Sequence, residues 1–166
     1  IHFADRVLED ALPEELRKLG LSRLLILTDG PGEGDDAFER VVDALPVGVW
    51  HHAMRDVPVP PVAEDATAVA ACALAQGCDG MVALGGPSVL ALARAAGQGA
   101  GLPVVALPTT TAGVGLGPMP APFGPAAVPA LILCDPSLTL AAGPEATAAA
   151  GMDALVHCLE AFLGTT

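Results

Sequence analysis

One stretch, from Gly80 to Thr111, constrains the fold more than any other part of the chain. It begins with a short apolar strand over 81–84, turns at Gly85–Ser88 (GGPS) and continues as a helix. A second apolar strand over 104–107 follows and ends in a cluster of threonines. Strand, glycine turn, helix and strand form one βαβ unit, whose crossover is right-handed in nearly all proteins.

The turn at Gly85–Ser88 has two interpretations. Glycines let backbone N–H groups approach a ligand closely, and the helix N-terminus behind them attracts negative charge, so the turn favours a phosphate or pyrophosphate. The Ser88 hydroxyl and the threonines at the next strand end can add donors. The alternative is a plain tight turn, with Pro87 at the first helical position because no N–H is needed there. Two polar turns at the carboxyl ends of consecutive strands favour the ligand, since open parallel sheets bind ligands at that edge.

The rest of the chain alternates between strands and helices. Further strands are predicted over 23–28, 47–51 and 130–134, and helices over 10–19, 35–45, 63–76 and 144–163. The strand at 23–28 is apolar on both faces, so helices should cover both sides of the sheet. His51 and His52 are adjacent and point to opposite faces, which favours an edge or strand-end position. The pattern predicts an α/β fold with a largely parallel sheet.

Composition limits the partners and the compartment. The net charge of −12 opposes binding to nucleic acid and to anionic membrane surfaces, and no apolar run reaches the eighteen or so residues that a membrane helix needs. The four cysteines form no C-x-x-C pair and lie in apolar runs, so we expect buried free thiols at Cys72, Cys78, Cys134 and Cys158. Free thiols, and charges among the first residues, favour the cytoplasm over secretion. The high mean hydropathy favours a surface covered by a partner subunit or by further chain.

Three more polar residues are candidates for a site. Asp29 follows the first long strand, where an acidic residue can accept hydrogen bonds from a ribose hydroxyl; a turn-forming or helix-capping aspartate is the alternative. Asp153 and His157 are four residues apart, so they lie on one face of the last helix and can hold one divalent metal between them. An ordinary polar pair is the alternative, because two ligands are too few for a tight site.

Four segments occur in an order that is specific, although each segment alone is weak. They are LGGPS at 84–88, LPVVALPTT at 102–110 with Ala-Gly after it at 112–113, DP at 135–136, and GMDALVHCLEA at 151–161. This series resembles the iron-containing alcohol dehydrogenase and maleylacetate reductase family. The resemblance covers nearly the whole chain but only the amino-terminal part of a family member.

The resemblance implies two structural units. A Rossmann-like domain over residues 1–140, with helices on both faces of a parallel sheet, would bind NAD, with NADP as the alternative. Residues 141–166 would be the first helix of a truncated helical domain that holds Fe²⁺ or Zn²⁺ through Asp153 and His157. The cofactor-binding residues that the resemblance implies are Asp29, Gly85, Gly86, Pro87, Ser88, Thr109 and Thr110. Among these, Asp29 would face the adenosine ribose and disfavour a 2′-phosphate.

The resemblance also implies an activity, namely hydride transfer between nicotinamide and an alcohol or aldehyde, with the metal polarising the alcohol oxygen. One alternative is the reduction of an enoate in the manner of maleylacetate reductases, which do without the metal; Asp153 favours the metal-dependent branch. The other is an inactive nucleotide-binding or oligomerisation module, which is favoured by Pro87 in place of a third glycine and by a missing hairpin after residue 113. No catalytic residue is assigned. A homodimer through the apolar last helix remains an option.

Overall fold

The computed structural model describes residues 1–29, 36–55, 57–58, 60–111 and 128–164. Within these ranges six strands form one parallel sheet: β1 His2–Phe3, β2 Arg23–Thr28, β3 Trp50–Met54, β4 Gly80–Gly85, β5 Val104–Pro108 and β6 Leu131–Cys134. The helices are α1 Val7–Leu19, α2 Asp36–Asp43, α3 Ala63–Ala75, α4 Pro87–Ala100 and α5 Pro144–Leu163, with a 3₁₀ helix at Pro136–Thr139 after β6.

The strand order β1-β6-β5-β4-β2-β3 creates one switch point, between β4 and β2. From β2 the chain continues to β3 at one edge of the sheet, whereas from β4 it continues to β5, which lies on the side of the opposite edge. The helices after these two strands also lie on opposite faces, since α1 and α2 pack in one apolar cluster with Leu24 and Ile26, and α3 and α4 pack in the other with Leu25 and Leu27. In open α/β sheets the crevice at such a point is where ligands bind. The predicted Rossmann-like α/β fold with both faces covered is confirmed.

Two elements begin three residues away from their predicted starts, each for a physical reason. Strand β3 begins three residues later than expected, because Gly48 adopts φ 91° in a turn closed by the bond from Val49 N to Pro46 O at 3.0 Å. β3 is an edge strand, which confirms the expectation for its two histidines. Helix α1 begins three residues before its predicted start at residue 10, because its first amides bond to a carboxylate far along the chain, as described below.

Gly97 allows α4 to pack closely on the sheet. A Cβ atom there would lie 2.5 Å from Val104 Cγ2 and 3.0 Å from the Leu102 carbonyl oxygen, whereas a Cβ at Gly99 would meet only Ala70 Cβ at 3.8 Å. We therefore expect Gly97→Ala to lower the free energy of unfolding by about 1–2 kcal/mol through overpacking. The matched variant Gly99→Ala should raise it by up to about 1 kcal/mol, since alanine favours helix. Urea denaturation of both variants measures the difference, and equal effects would contradict this packing.

The last helix, α5, is exposed along most of its length. Leu155 is 51 % exposed and Phe162 85 % exposed, and only Ala150 is buried. By length and composition alone, α5 is the one helix in the described ranges that meets the requirement for crossing a membrane. The expectation that no segment reaches that requirement is therefore wrong for α5. The same test is passed by core helices of soluble proteins, and Asp153 at the middle of the helix is costly in hydrocarbon.

The cysteines agree only in part with the prediction of buried thiols. All four are free, but only Cys78 is buried, and Cys158 on α5 is exposed. The prediction fails at Cys158 because the apolar run around it belongs to a helix that contacts little of the described chain. Burial raises the pKa of Cys78 and of Cys134, which keeps both as neutral thiols.

Candidate cofactor site

Asp29 and the glycine turn meet at the switch point. β2 and β4 are neighbours in register, with Thr28 opposite Leu84, so Asp29 and Gly85 leave the sheet side by side. The carboxylate of Asp29 lies over the turn: its Oδ1 is 2.7 Å from the position that a Cβ of Gly85 would occupy. Val89 Cγ2 lies at the same distance from that position, so Gly85 is a glycine because nothing larger fits.

Gly86 is a glycine for a different reason. Its backbone, at φ −78° and ψ −172°, suits any residue, and a Cβ there would make only ordinary contacts with Thr110 Cγ2 at 3.8 Å and Asp29 Oδ2 at 3.9 Å. Folding of the described chain therefore does not require glycine at this position. Any side chain at position 86 would instead project between Asp29 and Thr110. Glycine therefore leaves the space between these two side chains without a Cβ atom.

The N-terminus of α4 lies directly behind this space. Gly86 is the N-cap, Pro87 occupies the first helical position as predicted, and no side chain caps the helix among the described residues. Pro87 is exposed and Ser88 half-buried, so the Ser88 amide and hydroxyl are near the surface. The first helical bond runs from Leu90 N to Gly86 O at 3.1 Å. The partial positive charge of a 14-residue helix is available here to an anion.

The threonines after β5 complete the same edge. Thr109 N donates to Gly85 O at 3.1 Å and ties the end of β5 to the glycine turn. Thr109 and Thr110 are both half-buried and line a cleft of roughly 270 Å³ together with Asp29. The other residues lining this cleft are Thr28, Ala37, Leu84, Leu138, Ala141, Ala142 and Ala146. None of the described lining residues is cationic, so among them an anion bound at this edge would depend on amides, hydroxyls and the α4 dipole.

Every sequence-predicted cofactor residue therefore lies at one edge of the sheet. Asp29, Gly86 and Thr110 converge within about 4 Å of one point, and Gly85, Pro87, Ser88 and Thr109 adjoin it along the chain. The glycine turn is next to the cleft and is not among its described lining residues. Residues 30–35 and 112–127 lie outside the described residues. The second segment contains the position after residue 113 where a hairpin of the family is expected to be deleted.

Sequence reasoning recognised Asp135 only as part of a motif and missed its structural role. The carboxylate is 1 % exposed and accepts hydrogen bonds from the backbone amides of Arg6 at 3.2 Å, Leu8 at 3.2 Å and Ser137 at 2.9 Å. The Ser137 hydroxyl donates at 2.6 Å and the Arg40 guanidinium at 3.4 Å. Burial acts to raise the pKa of Asp135, but the bonds from Ser137, Leu8 and Arg6 outweigh it and hold the pKa below its ordinary value.

Asp135 thus caps two helices at once, since it bonds the first amides of α1 and begins the 3₁₀ helix that lines the cleft. The aspartate-proline sequence is the only local signal. Proline at the first position of a helix after a capping aspartate indicates the 3₁₀ turn. Nothing in the sequence indicates the bond to α1, because the partners are 127 residues apart.

The Asp153 and His157 side chains lie on one face of α5, as their spacing predicts. His157 Nδ1 is 3.6 Å from Asp153 Oδ2, and both side chains are at least half exposed. Two ligand atoms bound to one ion at about 2.1 Å are roughly 3.4 Å apart, so the pair is close to a chelating geometry. No group of three or more metal-ligating side chains occurs in the described ranges. Carboxylate and imidazole donors suit Zn²⁺ or Fe²⁺, and these two fit half of such a site.

Comparison with known proteins identifies the family of this chain. The family model for iron-containing alcohol dehydrogenase matches residues 1–116. The chain belongs to the iron-containing alcohol dehydrogenase family. A maleylacetate reductase from Rhizobium sp. strain MTP-10005 is 31 % identical over 159 residues, which cover 90 % of this chain and 44 % of the relative. A 4-hydroxybutyrate dehydrogenase from Cupriavidus necator is 30 % identical, over 92 % of this chain and 48 % of the relative.

The fold of the family extends over the described chain. The crystal structure of maleylacetate reductase from Agrobacterium tumefaciens superposes with a TM-score of 0.81 at 27 % identity, covering 96 % of this chain and 47 % of that one. The chain spans about half the length of the curated relatives it matches. Family members of both kinds named here are oxidoreductases, which establishes the enzyme class of the family to which this chain belongs.

Proposed function

We propose that this chain is the dinucleotide-binding part of an NAD-dependent oxidoreductase that transfers hydride between nicotinamide and an alcohol or aldehyde. Residues 1–140 form the dinucleotide-binding domain in this proposal, and residues 141–166 begin a metal-binding helical domain. The observation that carries the proposal is the glycine at position 86, which neither the backbone conformation nor the packing requires. It lies at the switch point, in front of a helix N-terminus and between a carboxylate and a threonine.

Each residue of the site has a part in binding. The Ser88 amide and hydroxyl, with the α4 dipole, receive the diphosphate, which approaches closely because Gly86 has no side chain. The Asp29 carboxylate accepts hydrogen bonds from the adenosine ribose hydroxyls, and its charge repels a 2′-phosphate, so NAD is preferred over NADP. Thr109 and Thr110 orient the bound molecule from the other side. When bound, the nicotinamide ring supplies the hydride acceptor or donor.

Calorimetric titration with NAD, NADP and ADP-ribose tests the proposal. We expect NAD and ADP-ribose to bind and NADP to bind more weakly, by about tenfold for one added charge repulsion at a partly solvated site. Inorganic phosphate is the control for a site that takes any phosphate ester. If none of the three nucleotides binds at millimolar concentration, the chain has the fold of the family without its cofactor site.

Two alternative functions are considered. One is a different reaction, and the other involves no catalysis. The 31 % identity with a maleylacetate reductase favours the reduction of an enoate by the same cofactor. An inactive nucleotide-binding or oligomerisation module is the second alternative, and it predicts nucleotide binding without turnover. Assays of the longest natural form of the chain with NADH and maleylacetate, and with NAD and short alcohols, separate these alternatives from the alcohol dehydrogenase.

The metal is expected to bind through Asp153 and His157, where it would polarise a substrate oxygen as a Lewis acid. Two protein ligands bind an ion weakly, so we expect only weak Zn²⁺ binding by this chain. His157→Ala should reduce that binding at least about tenfold, since one ligand of two is lost. Cys158→Ser, at the neighbouring exposed thiol, is the control and should leave it unchanged. Tight binding that survives His157→Ala in a calorimetric titration with Zn²⁺ would contradict this assignment.

The partners and the compartment proposed for the protein follow from its net charge, its free thiols and the exposed apolar residues of α5. The charge of −12 opposes nucleic acid and anionic membranes as partners. Four free thiols fit a reducing cytoplasm. The exposed apolar residues of α5 are expected to pack against protein, either the further chain that the relatives possess or a second copy in a homodimer. Sedimentation velocity of this chain at several concentrations tests the second possibility.

A further inference from the structure

We propose that Arg40 is a positioning residue that ties together two walls of the cleft, an inference that rests on the proposed function of that cleft. One wall is α2, which contributes Ala37, and the other is the 3₁₀ helix with the segment after it, which contributes Leu138 and Ala142. Arg40 lies three residues after Ala37, one helical turn away on nearly the same face. Ser137 directly precedes Leu138. A link between Arg40 and Ser137 is therefore a link between the two walls.

The guanidinium makes three contacts that fix its orientation. Its Nη1 donates to Ser137 Oγ at 3.0 Å, its Nη2 to Asp135 Oδ2 at 3.4 Å, and its Nε to Glu9 Oε1 at 2.7 Å. The side chain is only 22 % exposed. The planar, always charged fork of arginine suits three acceptors in different directions, which a single ammonium group cannot reproduce. The hydrogen bond to Glu9 raises the pKa of Arg40 further and keeps the group charged.

The two ends of this link have different roles. Ser137 and Asp135 also bond to each other, at 2.6 Å, so the 3₁₀ helix keeps its own cap without Arg40. The contact with Glu9 joins α2 to α1 and does not involve the 3₁₀ helix. Loss of the arginine therefore removes the polar link between α2 and the 3₁₀ helix, whereas loss of Glu9 leaves that link in place. This difference separates a positioning role from general stabilisation.

A ligand that extends from Asp29 to Thr110 lies between these walls. Its affinity depends on their spacing, because binding groups have to be held within about half an ångström of the productive geometry. ADP-ribose is the appropriate probe, since it carries the ribose and diphosphate without nicotinamide. We expect Arg40→Met to weaken ADP-ribose binding about tenfold, as is typical when a residue that supports binding groups is lost. Glu9→Ala should leave the affinity unchanged, and Arg40→Lys should recover it only in part, since one ammonium group cannot reach all three acceptors.

Hydrogen exchange measured by mass spectrometry on the ligand-free protein provides the second readout. Arg40→Met should increase exchange in the peptides that cover Asp36–Asp43 and Pro136–Thr139 together, whereas Glu9→Ala should leave the second peptide unchanged. Unchanged exchange in both peptides of Arg40→Met overturns the link, whatever the ligand does. Equal loss of ADP-ribose affinity in Arg40→Met and Glu9→Ala also overturns it. If the unmodified chain does not bind ADP-ribose, the proposed function of the cleft fails, and exchange alone decides whether the link exists.

Discussion

Asp135→Asn is expected to lower the free energy of unfolding by about 2–4 kcal/mol, the range for removing one charged partner from a buried hydrogen-bond network. The carboxylate is almost fully buried and accepts from three backbone amides, a hydroxyl and a guanidinium. An asparagine of the same shape has only one accepting oxygen, so donors that face its NH₂ group lose their partner. Urea denaturation at neutral pH measures the change. Asp153→Asn, at a half-exposed carboxylate, is the control and should change stability by less than about 0.5 kcal/mol.

The same carboxylate predicts how stability depends on pH. Its pKa is lower in the folded protein than the value of about 3.9 for an unfolded chain, so the unfolded state binds the proton more readily. The stabilisation by Asp135 is therefore fully present above about pH 4–5 and is lost as the pH falls towards the folded pKa. Asp135→Asn should lose less stability than the unmodified chain between pH 5 and pH 3. Parallel pH profiles of the two proteins would contradict the assignment.

Gly86→Asp is expected to weaken NAD and ADP-ribose binding by at least about a hundredfold, because two unit charges near 4 Å repel by several kcal/mol at a protein surface. The new carboxylate would project towards Asp29 and Thr110, where the diphosphate is proposed to bind. The fold should survive the change. Position 86 is the N-cap of α4, where aspartate is among the preferred residues, and this preference offsets part of the repulsion from Asp29.

Two alanine variants serve as matched controls for that experiment. Gly86→Ala places a methyl group in ordinary contact distance, so it should lower stability by no more than about 1 kcal/mol, through the poor N-cap preference of alanine, and weaken binding less than aspartate does. Gly85→Ala places its methyl 2.7 Å from Val89 Cγ2 and should destabilise the fold instead. Circular dichroism and calorimetric titration of the three variants distinguish these effects. Unaltered NAD affinity in Gly86→Asp would refute the placement of the diphosphate at this turn.

Local patterns were sufficient for most of the secondary structure. The strand Arg23–Thr28 and the helix Pro144–Leu163 have the predicted bounds, because each is delimited by turn residues that act within a few positions. The βαβ unit was predictable for the same reason. The start of α1 was not predictable from local patterns, since the side chain that caps it belongs to Asp135. β1 was missed because two residues carry no periodicity, and it exists only through pairing with β6.

The candidate site shows the same division between local and long-range information. The glycine turn, Asp29 and the threonines were each visible as polar strand ends, and their meeting at one edge follows from the parallel sheet. The contribution of the 3₁₀ helix and α2 to the cleft was not visible, because Arg40 and Ser137 are 97 residues apart. The exposure of Cys158 was also not predictable from its apolar neighbours, since burial depends on what packs against α5.

The cap on α1 has a consequence for synthesis on the ribosome. The chain emerges from its amino terminus, yet the amides at the beginning of its first long helix acquire their acceptor only after residue 135 has been made. Strand β1 likewise has no strand to pair with until β6 has been synthesised. These contacts therefore form late in translation, and until then the amino-terminal segments lack partners that they have in the folded protein.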